Sequence, residues 1–316
     1  MLVTGGAGFI GSHVVERLCG EGHDVCVLDN FATGRRENLS GLADEIELIE
    51  GDLQSYERVH NAVSGCETVF HIGALPSVPR SIQDPLTSNA SNVVGTLNVL
   101  LASRDSGVGR VIYASSSSVY GESAELPKRE QMAPLPIAPY PVAKLAGEGY
   151  CRAFTRVYGL ETVALRYFNV FGPRQDPLSE YAAVIPRFIS AFLEDERPTV
   201  HGDGEQSRDF TYVDNAVQAT LLAAEAEGVA GRTFNVACGE RTTLNELLDE
   251  LRRLTGKEIE AAYAEARPGD VRHSLADISE ARRALDYEPA VDARAGIGEA
   301  LAYYEEQRSD RAGTPA

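Results

Sequence analysis

Apolar residues in the first half of the chain fall into two alternating kinds of run. Short continuous blocks lie near residues 1 to 4, 24 to 28, 46 to 49, 67 to 71, 109 to 114 and 161 to 166. They have the length of strands buried on both faces. Between them, as at Phe9, Ile10, Val14, Val15 and Leu18, apolar positions recur at the spacing of a helix packed on one side. This alternation predicts an α/β fold with a doubly wound parallel sheet over residues 1–172. Beyond residue 172 the pattern becomes irregular, with Pro173, Pro177, Pro186 and Pro198 among mixed helices. A smaller mixed α/β domain is expected over 173–308, with about 211–236 returning to the first domain and 309–316 forming a flexible tail. No internal repeat or low-complexity tract appears.

The turn after the first strand reads Thr4-Gly5-Gly6-Ala7-Gly8-Phe9-Ile10-Gly11, with Gly5, Gly8 and Gly11 three apart. Glycines there permit a tight turn and close approach of a phosphate, and the following helix N-terminus offers free amides to the anion. The next apolar run, Val25 to Leu28, ends in Asp29, roughly 20 residues on, where a dinucleotide fold places a carboxylate on the adenosine ribose. That carboxylate accepts from a 2'-hydroxyl and repels a 2'-phosphate, so NAD is favoured over NADP. Asp52, after the third apolar block, suits a strand end beside the adenine or an ordinary turn.

A later strand, Val111 to Ala114, runs into Ser115, Ser116, Ser117 and Ser118. In an open parallel sheet ligands collect at the carboxyl ends of the strands, so hydroxyls there face the cofactor crevice. Pro134, Pro136, Pro139 and Pro141 then form a loop before a helix carrying Tyr140-Pro-Val-Ala-Lys144, with Pro141 in its first turn. Residues four apart on a helix share a face. A lysine beside a tyrosine lowers the phenol's pKa and makes it a base for a substrate hydroxyl.

Charge narrows the partners. The 316 residues carry 29 basic and 47 acidic side chains, a net charge of -18, which argues against nucleic acid and anionic membranes. No apolar run approaches the roughly 18 residues that span a bilayer, and no signal sequence precedes the first strand, so a cytoplasmic protein is expected. The five cysteines lack paired metal spacing, and no metal site is expected.

With these motifs the chain resembles the extended short-chain dehydrogenase/reductases, and within them the UDP-hexose 4-epimerases, specifically the branch acting on UDP-N-acetylglucosamine. The similarity covers almost the whole length and includes Arg166 to Arg174, Gly202 to Phe210 and Arg267 to Asp277. It implies that Tyr140 takes the proton of the sugar's C4 hydroxyl while the C4 hydride passes to NAD+. Lys144 holds the nicotinamide ribose, and Ser116, or failing it Ser117, bridges Tyr140 and the substrate oxygen. The 4-keto sugar then turns over and the hydride returns, so NAD is tightly bound and recycled. Cofactor contacts are implied at Gly5, Gly8, Phe9, Ile10, Gly11, Asp29, Asn30, Gly34, Asp52, Leu53, Ile72, Ala74, Ser91, Ala114, Tyr140, Lys144 and Tyr167. Substrate contacts are implied at Ser116, Ser117, Tyr140, Asn169, Val184, Thr199, Val200, His201, Arg208, Arg267, Asp270 and Ser274, the two arginines holding the diphosphate. Asn92 falls at a contact position as well.

Two positions depart from the family. Pro76 stands where related epimerases have a lysine reaching the NAD phosphates, and His201 where many have an aromatic residue. Ser274 stands where enzymes restricted to UDP-glucose and UDP-galactose have a tyrosine; the smaller side chain leaves room for a 2-acetamido group. The resemblance therefore implies interconversion of UDP-GlcNAc and UDP-GalNAc, with UDP-Glc and UDP-Gal as secondary substrates, and a homodimer packed through the Tyr140 helix and its neighbour near 88 to 106. A UDP-uronic acid 4-epimerase is the alternative, with Arg80, Arg174 or Arg187 meeting a carboxylate. A non-catalytic NAD-sensing protein is more remote, since such proteins tend to lose the tyrosine or lysine. A 4,6-dehydratase would carry Asp-Glu where Ser117-Ser118 stand.

Overall fold

The computed structural model describes residues 1–177, 183–266 and 272–313, with side chains as far as Ser309. Its first elements alternate as the apolar pattern predicts: β1 (Leu2–Thr4), α1 (Phe9–Gly20), β2 (Val25–Asp29), β3 (Ile46–Glu50), α2 (Tyr56–Val63) and β4 (Thr68–His71). Two short helices, α3 (Val78–Gln83) and α4 (Pro85–Asn89), lead through a π turn (Ala90–Val94) into α5 (Gly95–Asp105). Then come β5 (Arg110–Ser116), α6 (Pro139–Tyr158) and β6 (Glu161–Tyr167). Helix α6 starts at Pro139, earlier than the proline-rich loop suggests, because a proline in the first turn costs no hydrogen bond.

The remainder is built from shorter pieces: β7 (Val170–Phe171), α7 (Val184–Leu193), β8 (Thr199–His201), β9 (Ser207–Arg208) and β10 (Thr211–Tyr212). They continue with α8 (Val213–Glu225), β11 (Thr233–Val236), β12 (Thr242–Thr243), α9 (Leu244–Thr255), β13 (Ala262–Ala264), α10 (Ser279–Leu285) and α11 (Ala293–Gly313). Helix α11 runs past Ser309, where the sequence suggests a flexible tail, as far as Gly313.

Seven strands form one sheet in the order β11-β6-β5-β4-β1-β2-β3, every pairing parallel. The order reverses between β1 and β4, and such a switch point opens a crevice at the strands' carboxyl ends. Strand β11 extends the sheet beside β6, and α8 supplies Ala216, Val217 and Ala223 to the core shared with Val14, Val15 and Leu18 of α1. The opposite face packs Val59, Val63, Val99, Leu100, Cys151 and Phe154 of α2, α5 and α6. The core on the α1 side runs on without a break into Phe188, Phe192, Leu247, Leu251 and Leu301, so α7, α9 and α11 are seated on the sheet domain. Cys26 and Cys151 are buried and all five cysteines are unpaired.

Candidate active site

A cavity opens where β1, β2, β4 and β5 end, as the switch point requires. Its lining contains Gly5, Gly8, Phe9, Ile10, Gly11, Asp29, Asn30, Asp52, Leu53, Ile72, Ala74, Ser91, Ala114, Tyr140, Lys144 and Tyr167. Gly34 lies just beneath: a Cβ there would come within 2.9 Å of the Ala7 backbone and 3.0 Å of the Asp29 carboxylate. At Gly5, with φ +69°, a Cβ would meet Gly73 Cα at 2.5 Å, and at Gly11 it would meet the Gly5 carbonyl oxygen at 2.1 Å. Only glycine keeps this turn closed. Asp29 accepts from the amides of Ala7 (2.9 Å) and Phe31 (2.8 Å), which aims it while leaving lone pairs for a ligand. Burial raises its pKa, and those amides offset part of the rise.

Sequence reasoning missed Leu28, Ala32, Thr33, Gly51, Gly73 and Leu75, which also line the cavity. Pro76 lines it too and has no amide or ammonium to donate. Asn92 has a different part: its side chain accepts from the Leu75 amide (2.7 Å) and donates to the Leu75 carbonyl (2.9 Å), bracing the cofactor loop from behind. It projects from the π turn, a local widening that often marks functional helices.

Tyr140 and Lys144 share the face of α6 that meets the end of β5. Ser116 ends β5 near the Tyr140 phenol and favours its ionised form, and the Ser116 hydroxyl accepts from Ser118 Oγ (2.9 Å) and the Ser118 amide (3.2 Å). Ser117 opens the 3-10 turn that follows. Ser81 Oγ accepts from the Tyr140 amide at 3.0 Å, capping a helix start that Ala138 cannot cap itself. Lys144 Nζ donates to the Ala114 carbonyl at 2.7 Å and lies 5.1 Å from the Tyr113 ring centre and 5.9 Å from that of Tyr140. Here the electrostatics depart from the simple expectation of an acidified phenol. Burial pushes Tyr140 up to about 12, with nearby Ser116 acting the other way, and burial brings Lys144 down to about 8. Desolvation penalises both charged forms, and the ammonium is engaged with a backbone carbonyl. Below them His71 is held between Thr4 Oγ1 (2.8 Å) and Thr96 Oγ1 (2.9 Å), its pKa lowered by burial and by Lys144 to about 3.

The residues assigned to the substrate gather beyond the end of β6. Asn169, with φ +37°, donates to the Asp209 carbonyl at 2.9 Å. The Asp209 carboxylate accepts from the amides of Cys238, Gly239 and Ala276, tying three segments together. Arg208 donates to the carbonyls of Ser207 (3.0 Å) and Arg272 (3.2 Å), and the Ser274 amide donates to the Ser207 carbonyl (3.0 Å). Thr199, Val200 and His201 form β8 against β13; Val200 is fully buried, and His201 Nδ1 lies 3.2 Å from the Glu265 carbonyl. Val184 opens α7. Arg267 and Asp270 lie outside the described residues. Among the described residues no group of His, Cys, Asp and Glu could hold a metal ion.

Residues 1–237 match the model of the NAD dependent epimerase/dehydratase family. The chain belongs to this family. A UDP-glucose 4-epimerase of Mycolicibacterium smegmatis is 37% identical over 307 residues, covering 96% of this chain and 97% of the relative. The solved UDP-N-acetylglucosamine 4-epimerase of Methanobrevibacter ruminantium, in complex with UDP-N-acetylmuramic acid, superimposes with a TM-score of 0.93 at 41% identity, covering 97% of this chain and 98% of that one. A UDP-glucuronic acid 4-epimerase of Bacillus cereus, solved with NAD and a fluorinated UDP-glucuronic acid, gives 0.90 at 31%, covering 97% and 99%. NAD is the cofactor of this epimerase/dehydratase family, and the cavity suits it. The Gly5–Gly11 turn is a cradle that any Cβ would fill, and Asp29 is a pre-aimed acceptor for a ribose diol.

Proposed function

We propose that the protein is an isomerase, a 4-epimerase of UDP-sugars, that interconverts UDP-GlcNAc and UDP-GalNAc and turns over UDP-Glc and UDP-Gal more slowly. The observation that carries this reading is Tyr140 in the lining of a dinucleotide cavity, with Lys144 one turn further along the same helix face and Ser116 at the adjoining end of β5. A phenol so placed takes the proton of a sugar hydroxyl and returns it on either face, relayed by Ser116. Lys144 orients the cofactor's ribose and places positive charge beneath the phenol. When bound, NAD supplies the acceptor and donor of one hydride. Ser117 and Ser118 offer no acid and base for elimination, which leaves oxidation and re-reduction at one carbon.

On the nucleotide side, Arg208 and Arg267 take the diphosphate, Asn169 a phosphate oxygen, Asp270 the ribose, and Thr199 to His201 flank the uracil. Ser274 is the size gate. It is half-buried, and its amide donates to the Ser207 carbonyl beside Arg208; a larger side chain at this position would take up room that a 2-acetamido group needs. The Methanobrevibacter relative, whose ligand is an N-acetylated sugar nucleotide, favours the acetamido substrates. The uronic acid reading draws on the Bacillus cereus relative. Of its candidate arginines, Arg174 pairs with Glu16 and lines a separate groove with Arg35 and Tyr304.

A second copy of the chain is the expected partner. Ile82 and Leu86, at 63% and 82% exposure, lie on α3 and α4, which pack on each other and on α6 and leave these apolar side chains uncovered. No helix among the described residues is long and apolar enough to cross a membrane, in keeping with a cytoplasmic enzyme.

The test is a substrate panel read by proton NMR: UDP-GlcNAc, UDP-Glc and UDP-GlcA, each without added NAD, on the wild type and Ser274→Tyr. The wild type is expected to invert C4 of UDP-GlcNAc fastest, and the variant to lose that activity while sparing UDP-Glc. Equal loss of both would refute the gate, and inversion of UDP-GlcA alone would install the second reading.

A further inference from the structure

Helix α6 carries a third buried polar residue on the Tyr140 and Lys144 face. Glu148 is 2% exposed, and its carboxylate is fully engaged. Oε1 accepts from Ser115 Oγ at 2.6 Å and from Arg166 Nε at 2.9 Å, and Oε2 accepts from Arg166 Nη2 at 2.8 Å. Arg166 is 4% exposed. Its guanidinium lies 4.7 Å from the Tyr120 ring centre, and the Tyr120 hydroxyl donates to Asn235 on β11 at 2.7 Å. Burial opposes the guanidinium's charge, but Glu148 outweighs it and holds Arg166 above the usual arginine range.

This network is a poor device for stability alone. A buried ion pair recovers its desolvation cost only with near-ideal geometry, and an apolar pair of similar size is often as stable. Its placement is informative. Ser115 pairs in register with Arg166 across β5 and β6, and it sits between Ala114, which accepts from Lys144, and Ser116, the residue beside the Tyr140 phenol. Two tethers therefore join α6 to two consecutive residues of β5: Lys144 to Ala114, and Glu148 to Ser115. The second is anchored to β6 by a bidentate guanidinium, the most directional ionic contact available.

We infer that Glu148 is a positioning residue for the proposed epimerase: by gripping Ser115 and Arg166 together, it fixes the register of α6 against β5 and so the geometry of Ser116, Tyr140 and Lys144. The inference rests on the function proposed above. Glu148 touches no reacting atom; it acts through Ser115 and through the helix.

The test compares Glu148→Gln, Ser115→Ala and the neutral double variant Glu148→Gln with Arg166→Met, each read for melting temperature, retained NAD, kcat and KM. Glu148→Gln is expected to keep KM within about twofold. Its kcat should fall between about tenfold and 100-fold, the scale on which misplacing a reacting group by about an ångström acts. The double variant removes the uncompensated charge and should recover the melting temperature without recovering kcat. Ser115→Ala, which leaves the ion pair intact, should lower kcat with little change in melting temperature. It decides the matter if Glu148→Gln does not fold. Recovery of kcat together with stability, or wild-type kcat in folded Glu148→Gln and Ser115→Ala, would reduce Glu148 to a structural residue. Emission of bound NADH gives a readout without turnover: altered nicotinamide emission in the variants at unchanged NADH affinity supports positioning, and identical emission overturns it. A wild type that inverts no UDP-sugar would instead defeat the proposed function, and the emission comparison would still decide this inference.

Discussion

The cofactor cavity and the side proposed for the nucleotide sugar are held in shape by different means. In the cavity, short-range geometry does the work: Gly5 and Gly11 leave no room for a Cβ, and Asp29 is aimed by two amides from adjoining turns. Across from it, Arg208, Asn169 and Ser274 are placed by bonds between segments far apart in sequence, converging on Ser207 and Asp209. A site of the first kind is written in one local motif, whereas the second kind exists only once the chain has folded. Damage to the first should be local and chemical.

The largest expected effect separates chemistry from cofactor retention. Tyr140→Phe should lower kcat by about 1,000-fold, within the usual range for a general acid–base group, while released NAD per protein stays at the wild-type level. An equal loss of NAD would merge the two functions. Gly11→Ala should do the reverse. Its Cβ would press on a backbone oxygen that has no rotamer to escape through. A cost of about 1–3 kcal/mol is expected, seen as loss of co-purifying NAD by absorbance after denaturation. Full NAD occupancy would break the claim that the turn is a rigid cradle.

A smaller effect concerns pH. His71 and His13 have pKa values lowered to about 3 and about 4, chiefly by burial, against 6.5 when exposed. Between those values the unfolded chain binds protons that the fold refuses, so stability is lost as pH falls below about 6.5, by up to about 1.4 kcal/mol per pH unit for each group. His71→Asn removes one of the two contributions and should flatten the decline in melting temperature between pH 6.5 and 4.5. An unchanged slope would mean that His71 is already protonated in the fold.

Much of the sheet domain was legible because buried parallel strands are rich in apolar residues; β2 and β6 begin and end within a residue or so of those runs. The glycine turn and Asp29 carried a mechanism in their spacing. Other features could not be seen that way. Thr33, Gly51 and Gly73 line the cavity from loops with no distinctive side chain, and Asn92 braces a loop that only the fold brings to it. The phenol's response to burial was likewise invisible, because desolvation depends on what packs around a group and not on its neighbour four residues away. For Glu148 there was a signal, a carboxylate two turns beyond Tyr140 on the same face, but its partners Ser115 and Arg166 belong to two other strands. The nucleotide-side assignments rested on resemblance throughout.

Return of one hydride to the carbon it left is the central claim, and isotope labelling tests it directly. UDP-GlcNAc carrying deuterium at C4, incubated with the purified protein in ordinary water without added NAD, should give UDP-GalNAc that keeps the deuterium at C4, with no net NADH. Loss of the label to solvent, or NADH accumulating without inversion, would contradict the account.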